Sequence, residues 1–93
     1  MAEIDVRPTE RDDEYEFEVT VREGRGETQH TVTLNRDDYE RLAGGEASPE
    51  ALVTESFRFL LEREPKESIL RSFDLTVISR YFPGYEREIR RRI

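Results

Sequence analysis

The segment YEFEVTVREGRGETQHTVTL, residues 15–34, decides the fold of this chain. In its first arm, apolar side chains alternate with glutamate, threonine and arginine. In its second arm, His30, Val32 and Leu34 fall on one face. A period of two residues is typical of a strand with one buried face. Both arms are therefore predicted to be strands.

The two strands are predicted to form an antiparallel hairpin. Gly24 and Gly26 lie between them and are expected to supply the positive φ angles of a short hairpin loop. A register that places Val19 opposite His30 brings the apolar residues of both arms to the same side. An isolated hairpin is only marginally stable, so it must pack on helices or recruit another strand, for example from a second copy of the chain. A homodimer is therefore one expectation.

Two helices are predicted directly after the hairpin. The first begins after Asn35, a good N-cap residue, and ends at the glycine pair 44–45. The second spans residues 48–64, with Ser48 as N-cap and Pro49 at the first helical position. Its apolar residues recur at helical spacing, so we expect it to be the central helix of the domain.

The remaining chain is predicted to add shorter helices. Pro65 ends the long helix, and residues 65–73 are expected to form a further short one. Asp74 can cap a helix over residues 75–82; the letters LTVI also suit a strand, and helix is the favoured interpretation. Residues 85–93 are predicted to form a final amphipathic helix.

The predicted fold class is α+β, with an N-terminal antiparallel β-hairpin packed against three or four helices. Residues 1–13 contain Pro8 and mixed charges without periodicity, so they are expected to form a mobile N-terminal segment. Residues 14–93 form one domain in this interpretation, because a chain of 93 residues is within the usual size of a single domain.

Composition excludes several classes of protein. The chain has no cysteine, which rules out disulfides and thiolate chemistry, and its N-terminus lacks the pattern of a secretory signal. No apolar run approaches the roughly 20 residues of a membrane span. We therefore expect a cytoplasmic protein without a membrane partner. Only one of its 15 basic residues is lysine, which indicates a bacterial source with a GC-rich genome.

Charge is divided unevenly along this acidic chain. The net charge is −7, yet residues 1–62 hold 17 acids and 7 bases, whereas residues 63–93 hold 5 acids and 8 bases. Arginines there alternate with aromatic residues, a combination that binds phosphates, bases or protein partners. The candidate binding residues are Arg71, Arg80, Tyr81, Tyr85 and Arg87. The favoured alternative is that this segment closes the core and carries incidental surface arginines.

No catalytic, cofactor or metal site is predicted. His30 is the only histidine, and its position in the apolar phase of a strand predicts a partly buried, hydrogen-bonded side chain at the sheet edge, which could titrate near neutrality. The acidic pairs 12–13 and 37–38 are explained by a solvated tail and by the first turn of a helix. Gly24 and Gly26 do not have the spacing of a phosphate-binding loop.

Two segments resemble known proteins. TQHTVTLNRDDYERLAGGEASPEALVTESFRFLLERE, residues 28–64, looks like the ribbon–helix–helix DNA-binding fold, in which strands of two chains pair and enter the major groove. Here the predicted strand already has a partner in its own chain and lacks basic residues on its outward face. REPKESILRSFDLTVISRYFPGYEREI, residues 63–89, resembles a group of short bacterial proteins of unassigned function. That resemblance implies no activity and suggests a complete, free-standing protein.

The sequence thus favours a small, non-enzymatic protein that binds another protein. The alternative is a nucleic-acid-binding protein that uses its basic C-terminal third.

Overall fold

The computed structural model describes residues 2–9 and 13–93. Within these ranges the chain forms a mixed sheet in the order β1-β2-β3-β4, where β1 is Glu3–Thr9, β2 is Glu14–Glu23, β3 is Gly26–Asn35 and β4 is Ser72–Asp74. Its α-helices are α1 (Arg36–Ala43), α2 (Pro49–Leu61), α3 (Ile78–Tyr81) and α4 (Tyr85–Arg92). Two 3₁₀ turns occupy Lys66–Ser68 and Leu75–Val77. The predicted α+β fold class is confirmed.

The predicted hairpin is the β2–β3 pair. Val19 lies opposite His30 in an antiparallel register, as the alternation of apolar residues indicated. Gly24 has a φ of 62° in the connecting turn, a conformation that favours glycine. Gly26 already belongs to β3 and does not have a positive φ, so the loop is shorter than predicted and needs only one of the two glycines.

Residues 1–13 were expected to form a mobile N-terminal segment, but residues 3–9 of it are a strand of the sheet. These residues form β1, which pairs antiparallel with β2 and places Ile4 opposite Val21 and Val6 opposite Val19. Pro8 is tolerated because an edge strand needs no hydrogen bond on its outer side. Met1 and residues 10–12 lie outside the described residues.

A second strand joins the hairpin on its other side. Residues 72–74 form β4, which runs parallel to β3 and pairs with Thr31–Thr33. The backbone N–H of Thr31 donates to the carbonyl of Arg71 at 2.8 Å. The prediction of a helix over residues 65–73 is therefore wrong beyond the single turn at Lys66–Ser68. Since β1 and β4 come from the same chain, the hairpin does not need a strand from a second copy.

The predicted helix boundaries at residues 35–49 are confirmed. The Asn35 Oδ1 accepts from the N–H of Asp38 at 2.8 Å, and Gly44 ends α1 with a φ of 58°. Ser48 caps α2, which starts with Pro49 and is the longest described helix at 13 residues. No helix in residues 2–9 or 13–93 is long and apolar enough to cross a bilayer.

The favoured interpretation of a helix over residues 75–82 is confirmed for residues 75–81, and Phe82 already lies beyond the helix end. The Asp74 carboxylate accepts from the N–H of Thr76 at 3.2 Å, and a 3₁₀ turn leads directly into α3. After a turn, α4 follows at Tyr85–Arg92.

The core lies between one face of the sheet and the helices. The hairpin contributes five apolar side chains that are fully buried, namely Phe17, Val19, Val21, Val32 and Leu34. From the helical side the largest fully buried residues are Leu52, Phe57, Phe59, Leu75, Tyr85 and Ile89. The opposite face of the sheet carries mainly Glu, Thr and Arg side chains, because strand residues alternate between the two faces.

The two faces of β1 should contribute differently to stability. Replacing Ile4 and Val6 by serine removes two half-buried apolar side chains and should lower the free energy of unfolding by about 2 kcal/mol. Replacing Asp5 and Arg7, on the other face, should change it by no more than about 0.5 kcal/mol. Urea unfolding of both double variants measures the difference. Equal effects would contradict packing of β1 on the core.

Candidate functional site

An apolar groove opens between the end of α2 and the chain that follows it. Its volume is about 310 Å³. Eight of its ten lining residues are apolar or aromatic, and only a glutamate and a serine are polar. We call this site the apolar groove; its lining residues are Leu60, Glu64, Ser68, Ile69, Leu70, Phe73, Val77, Ile78, Tyr81 and Phe82.

Three local elements build the walls of the groove. The end of α2 supplies one wall, the extended chain before and within β4 supplies the second, and α3 with its preceding turn supplies the third. β4 holds the second wall against the sheet through its pairing with β3 and through the 2.8 Å hydrogen bond from Thr33 Oγ1 to Asp74. The groove thus lies where β4 ends at Asp74 and the chain turns away from the sheet into α3.

Two large hydrophobic side chains are exposed in the described residues, and both line this groove. Leu70 is 47% exposed and Tyr81 is 66% exposed. A single exposed apolar residue is common on protein surfaces, but exposed apolar residues that meet in one concavity are typical of binding sites. Leu70 is absent from the predicted site, because residues 65–73 were expected to form a helix and nothing in them indicated an extended conformation.

Arg71 and Arg80 are the predicted site residues next to the groove in sequence. Arg71 follows Leu70 and Arg80 precedes Tyr81, so their Cα atoms lie about 3.8 Å from those of groove residues. Both side chains belong to exposed residues. Within residues 2–9 and 13–93 neither guanidinium has an ion-pair or hydrogen-bond partner. Tyr81, the third predicted residue, is the last residue of α3; it lines the groove and is exposed to solvent.

The other arginines of the C-terminal third fall into two groups. Arg87 and Arg90 are exposed on α4 and have no ion-pair partner among the described residues. Arg63 and Arg92 are structural instead. The Arg63 guanidinium lies 3.6 Å from the centre of the Phe59 ring. Arg92 bonds Glu62, directly after α2, at 2.6 Å and Glu88 of α4 at 3.1 Å. Arg91 lies 3.8 Å from Glu88 and also belongs to this second group.

Tyr85 is not a surface residue, which corrects its assignment to the predicted site. It is 0% exposed, and its ring meets Phe59 edge-on at 5.3 Å between ring centres. Ser56 Oγ donates to the Leu52 carbonyl at 2.8 Å, so its proton is already used. The Tyr85 hydroxyl therefore donates to Ser56 Oγ, 2.6 Å away. Burial raises the pKa of Tyr85 well above its usual range.

His30 connects the central strand to the groove wall. Its Nδ1 lies 2.7 Å from the carbonyl of Leu70, which can only accept, so Nδ1 carries the proton. Nε2 then accepts from Thr28 Oγ1 at 2.9 Å. The ring is 1% exposed and packs 5.4 Å from Phe57. The predicted hydrogen bonding is confirmed, but the residue is deeper than expected because the chain before β4 covers it. Burial, with a smaller contribution from Arg71, lowers its pKa.

No protein-family model matches this chain, and no curated protein or solved structure is significantly similar to it. Among the residues that the structure describes, no three His, Cys, Asp or Glu side chains are grouped as a metal site would require.

The hydroxyl of Tyr85 should contribute to stability, whereas that of Tyr81 should not. Tyr85→Phe removes the buried bond to Ser56 and should lower the free energy of unfolding by about 1 kcal/mol. Tyr81→Phe is the matched control, because Tyr81 is exposed and its hydroxyl has no hydrogen-bond partner in the part of the chain that the structure describes. Chemical unfolding measures both variants. A loss as large in Tyr81→Phe would contradict the assignment of the hydrogen bond.

Protonation of His30 should destabilise the fold. Its pKa in the folded state lies below the ordinary value of 6.5, so the unfolded chain takes up the proton first. The associated stability is complete above pH 6.5 and is lost as the pH falls toward the lower pKa of the folded state. The free energy of unfolding of the wild type should therefore fall as the pH is lowered below 6.5.

His30→Gln should show a flat profile over the same interval. The chain has one histidine, so NMR titration of the wild-type ring measures the folded-state pKa directly. This measurement does not depend on whether the His30→Gln variant folds. A measured pKa at or above 6.5 would contradict the assignment.

Proposed function

We propose that this protein is a non-enzymatic binding protein that takes up an apolar segment of another protein in the apolar groove. The observation that carries the proposal is the joint exposure of Leu70 and Tyr81 in one concavity. Burying these two side chains against a partner would remove apolar surface from water, which is the main driving force of protein association.

The composition of the groove supports a protein segment over a small molecule. Its volume of about 310 Å³ is at the lower end of small-molecule pockets, which span roughly 300–1,000 Å³. Such pockets usually present several polar groups that orient the ligand. Here only Glu64 and Ser68 are polar, and the more exposed of the two exposed hydrophobic residues in the lining is Tyr81, which has an arginine beside it in sequence. Tyrosine and arginine are enriched at the centres of protein interfaces.

The environment of His30 supports a non-enzymatic role. Both ring nitrogens are hydrogen-bonded inside the core, so neither can reach a substrate. Tyr85 is closed off in the same way by its bond to Ser56. We also propose a cytoplasmic location, in keeping with a chain that contains no cysteine.

Nucleic-acid binding is the alternative, and the unpaired arginines favour it. Arg71, Arg80, Arg87 and Arg90 could contact phosphates. However, Glu86 and Glu88 lie on the same helix as two of these residues, and phosphate contacts leave the apolar groove unused. The residues that resemble a ribbon–helix–helix protein do not favour DNA binding either, because Thr31–Thr33 of β3 are flanked by strands on both sides.

Crosslinking from the groove tests the proposal. A photoreactive phenylalanine analogue at position 81 should crosslink a cellular protein, whereas the same analogue at Arg25, an exposed hairpin residue, should not. The crosslinked protein is then purified and its affinity measured by calorimetry. Leu70→Ser with Tyr81→Ser should weaken binding at least about tenfold, because two exposed anchors lose roughly 1.4 kcal/mol or more together.

Arg87→Glu is the control variant and should leave the affinity of the purified partner within about twofold, a difference well under 1.4 kcal/mol. Labelled duplex DNA and single-stranded RNA, titrated at about 50 mM and 200 mM salt, should not bind. Crosslinks that are equal at both positions, or a partner that binds the serine variant normally, would contradict the proposal. Nucleic-acid binding that collapses at the higher salt would favour the alternative.

A further inference from the structure

We infer that the segment bound by the apolar groove is acidic: a short stretch of a foreign protein with large apolar side chains beside aspartate or glutamate. This inference rests on the proposed function and specifies the chemistry of the partner. It is drawn from the two arginines next to the groove, and from how the protein uses its other arginines.

Acidic residues exceed basic ones in this chain by 22 to 15. Among the described residues, seven arginines form an ion pair with a carboxylate, namely Arg7, Arg22, Arg41, Arg58, Arg63, Arg91 and Arg92. Arg41 bonds Asp38 at 2.9 Å and also Glu86, and Arg92 bonds both Glu62 and Glu88. Within residues 2–9 and 13–93, six arginines have no such partner, namely Arg25, Arg36, Arg71, Arg80, Arg87 and Arg90. Of these six, only Arg71 and Arg80 are next in sequence to a residue of the apolar groove.

Arg71 and Arg80 are next in sequence to the two exposed apolar residues of the groove. Arg71 is bonded through the backbone to Leu70, and Arg80 to Tyr81, so each guanidinium can reach the surface around an apolar side chain. A guanidinium binds a carboxylate through two parallel hydrogen bonds, a geometry that suits a partner's aspartate or glutamate. The surface therefore combines apolar burial with two free positive charges, and its complement is an apolar segment with negative charges.

The same charges disfavour a second copy of the chain as the occupant. In a two-fold symmetric contact the groove of one copy faces the groove of the other. The arginines of both copies would then lie at one interface, and like charges gathered at an interface are unfavourable. Glu64 lines the groove and forms no ion pair within residues 2–9 and 13–93, so the acidic residues of the partner should lie away from it, toward the arginines.

Selection from a display library of random 12-residue peptides tests the inference. Peptides are sorted for binding to the wild-type protein, and those that also bind Leu70→Ser with Tyr81→Ser are discarded. The remaining peptides should combine large apolar residues with aspartate or glutamate. Fluorescence anisotropy of a selected peptide should give an affinity that falls about tenfold in Arg71→Glu with Arg80→Glu, as expected for two reversed surface charge pairs.

Arg87→Glu with Arg90→Glu is the matched control, since it changes the net charge by the same amount outside the groove. It should leave the affinity within about twofold, well under the 1.4 kcal/mol of a tenfold change. A version of the peptide with lysine in place of its acidic residues should bind poorly to the wild type and regain affinity for Arg71→Glu with Arg80→Glu. That exchange tests charge pairing independently of folding.

The outcomes separate the two proposals. Groove-dependent peptides without enrichment of acidic residues, whose binding ignores the reversal at Arg71 and Arg80, would overturn the acidic partner and leave the proposed function standing. The absence of any peptide that depends on Leu70 and Tyr81 would overturn both.

Discussion

Everything in this fold depends on the need to cover one face of the β2–β3 hairpin. Phe17, Val19 and Val32 point to the same side, and each is fully buried. The other side of the same strands is polar, so only one layer of helices is required. With 34% hydrophobic residues, the chain can build one such interface and little more. The two added strands and the helices are arranged around this single buried face.

The layer of helices that covers the sheet leaves the apolar groove open at the end of α2. His30 holds the carbonyl of Leu70 from the central strand, and its ring packs on Phe57, which in turn packs 6.0 Å from Phe73. These contacts keep residues 70–73 extended along β3. The extended backbone leaves the Leu70 side chain exposed opposite α3, so a requirement of the core produces the exposed apolar surface.

The basic C-terminal third has two physical roles. Arg92 connects α4 to the end of α2 through Glu62 and Glu88, and Arg41 on α1 bonds Glu86 of the same helix. Surface ion pairs of this kind contribute little individually, but here they hold the same helix that the buried Tyr85–Ser56 bond joins to α2. Arg71 and Arg80 take no part in this arrangement. Position in the tertiary structure, and not residue type, separates the structural arginines from those free to bind.

The sequence by itself determined the features that depend on local periodicity and capping. The register of Val19 opposite His30, the caps at Asn35 and Ser48, and the helix after Asp74 all follow from neighbouring residues. Local signals of this kind are strong because side-chain direction and hydrogen-bonding partners are set within a few residues.

Only the tertiary structure decided the edges of the sheet and the directions of single side chains. β4 forms because Thr31 and Thr33 offer hydrogen bonds to residues about 40 positions away, which no local pattern contains. β1 shows a weak alternation at Ile4 and Val6, yet it becomes a strand through pairing with β2. Tyr85 is buried and Tyr81 exposed although both are tyrosines among arginines. Whether each faces α2 or solvent depends on how the helices pack, and packing is a property of contacts between distant segments.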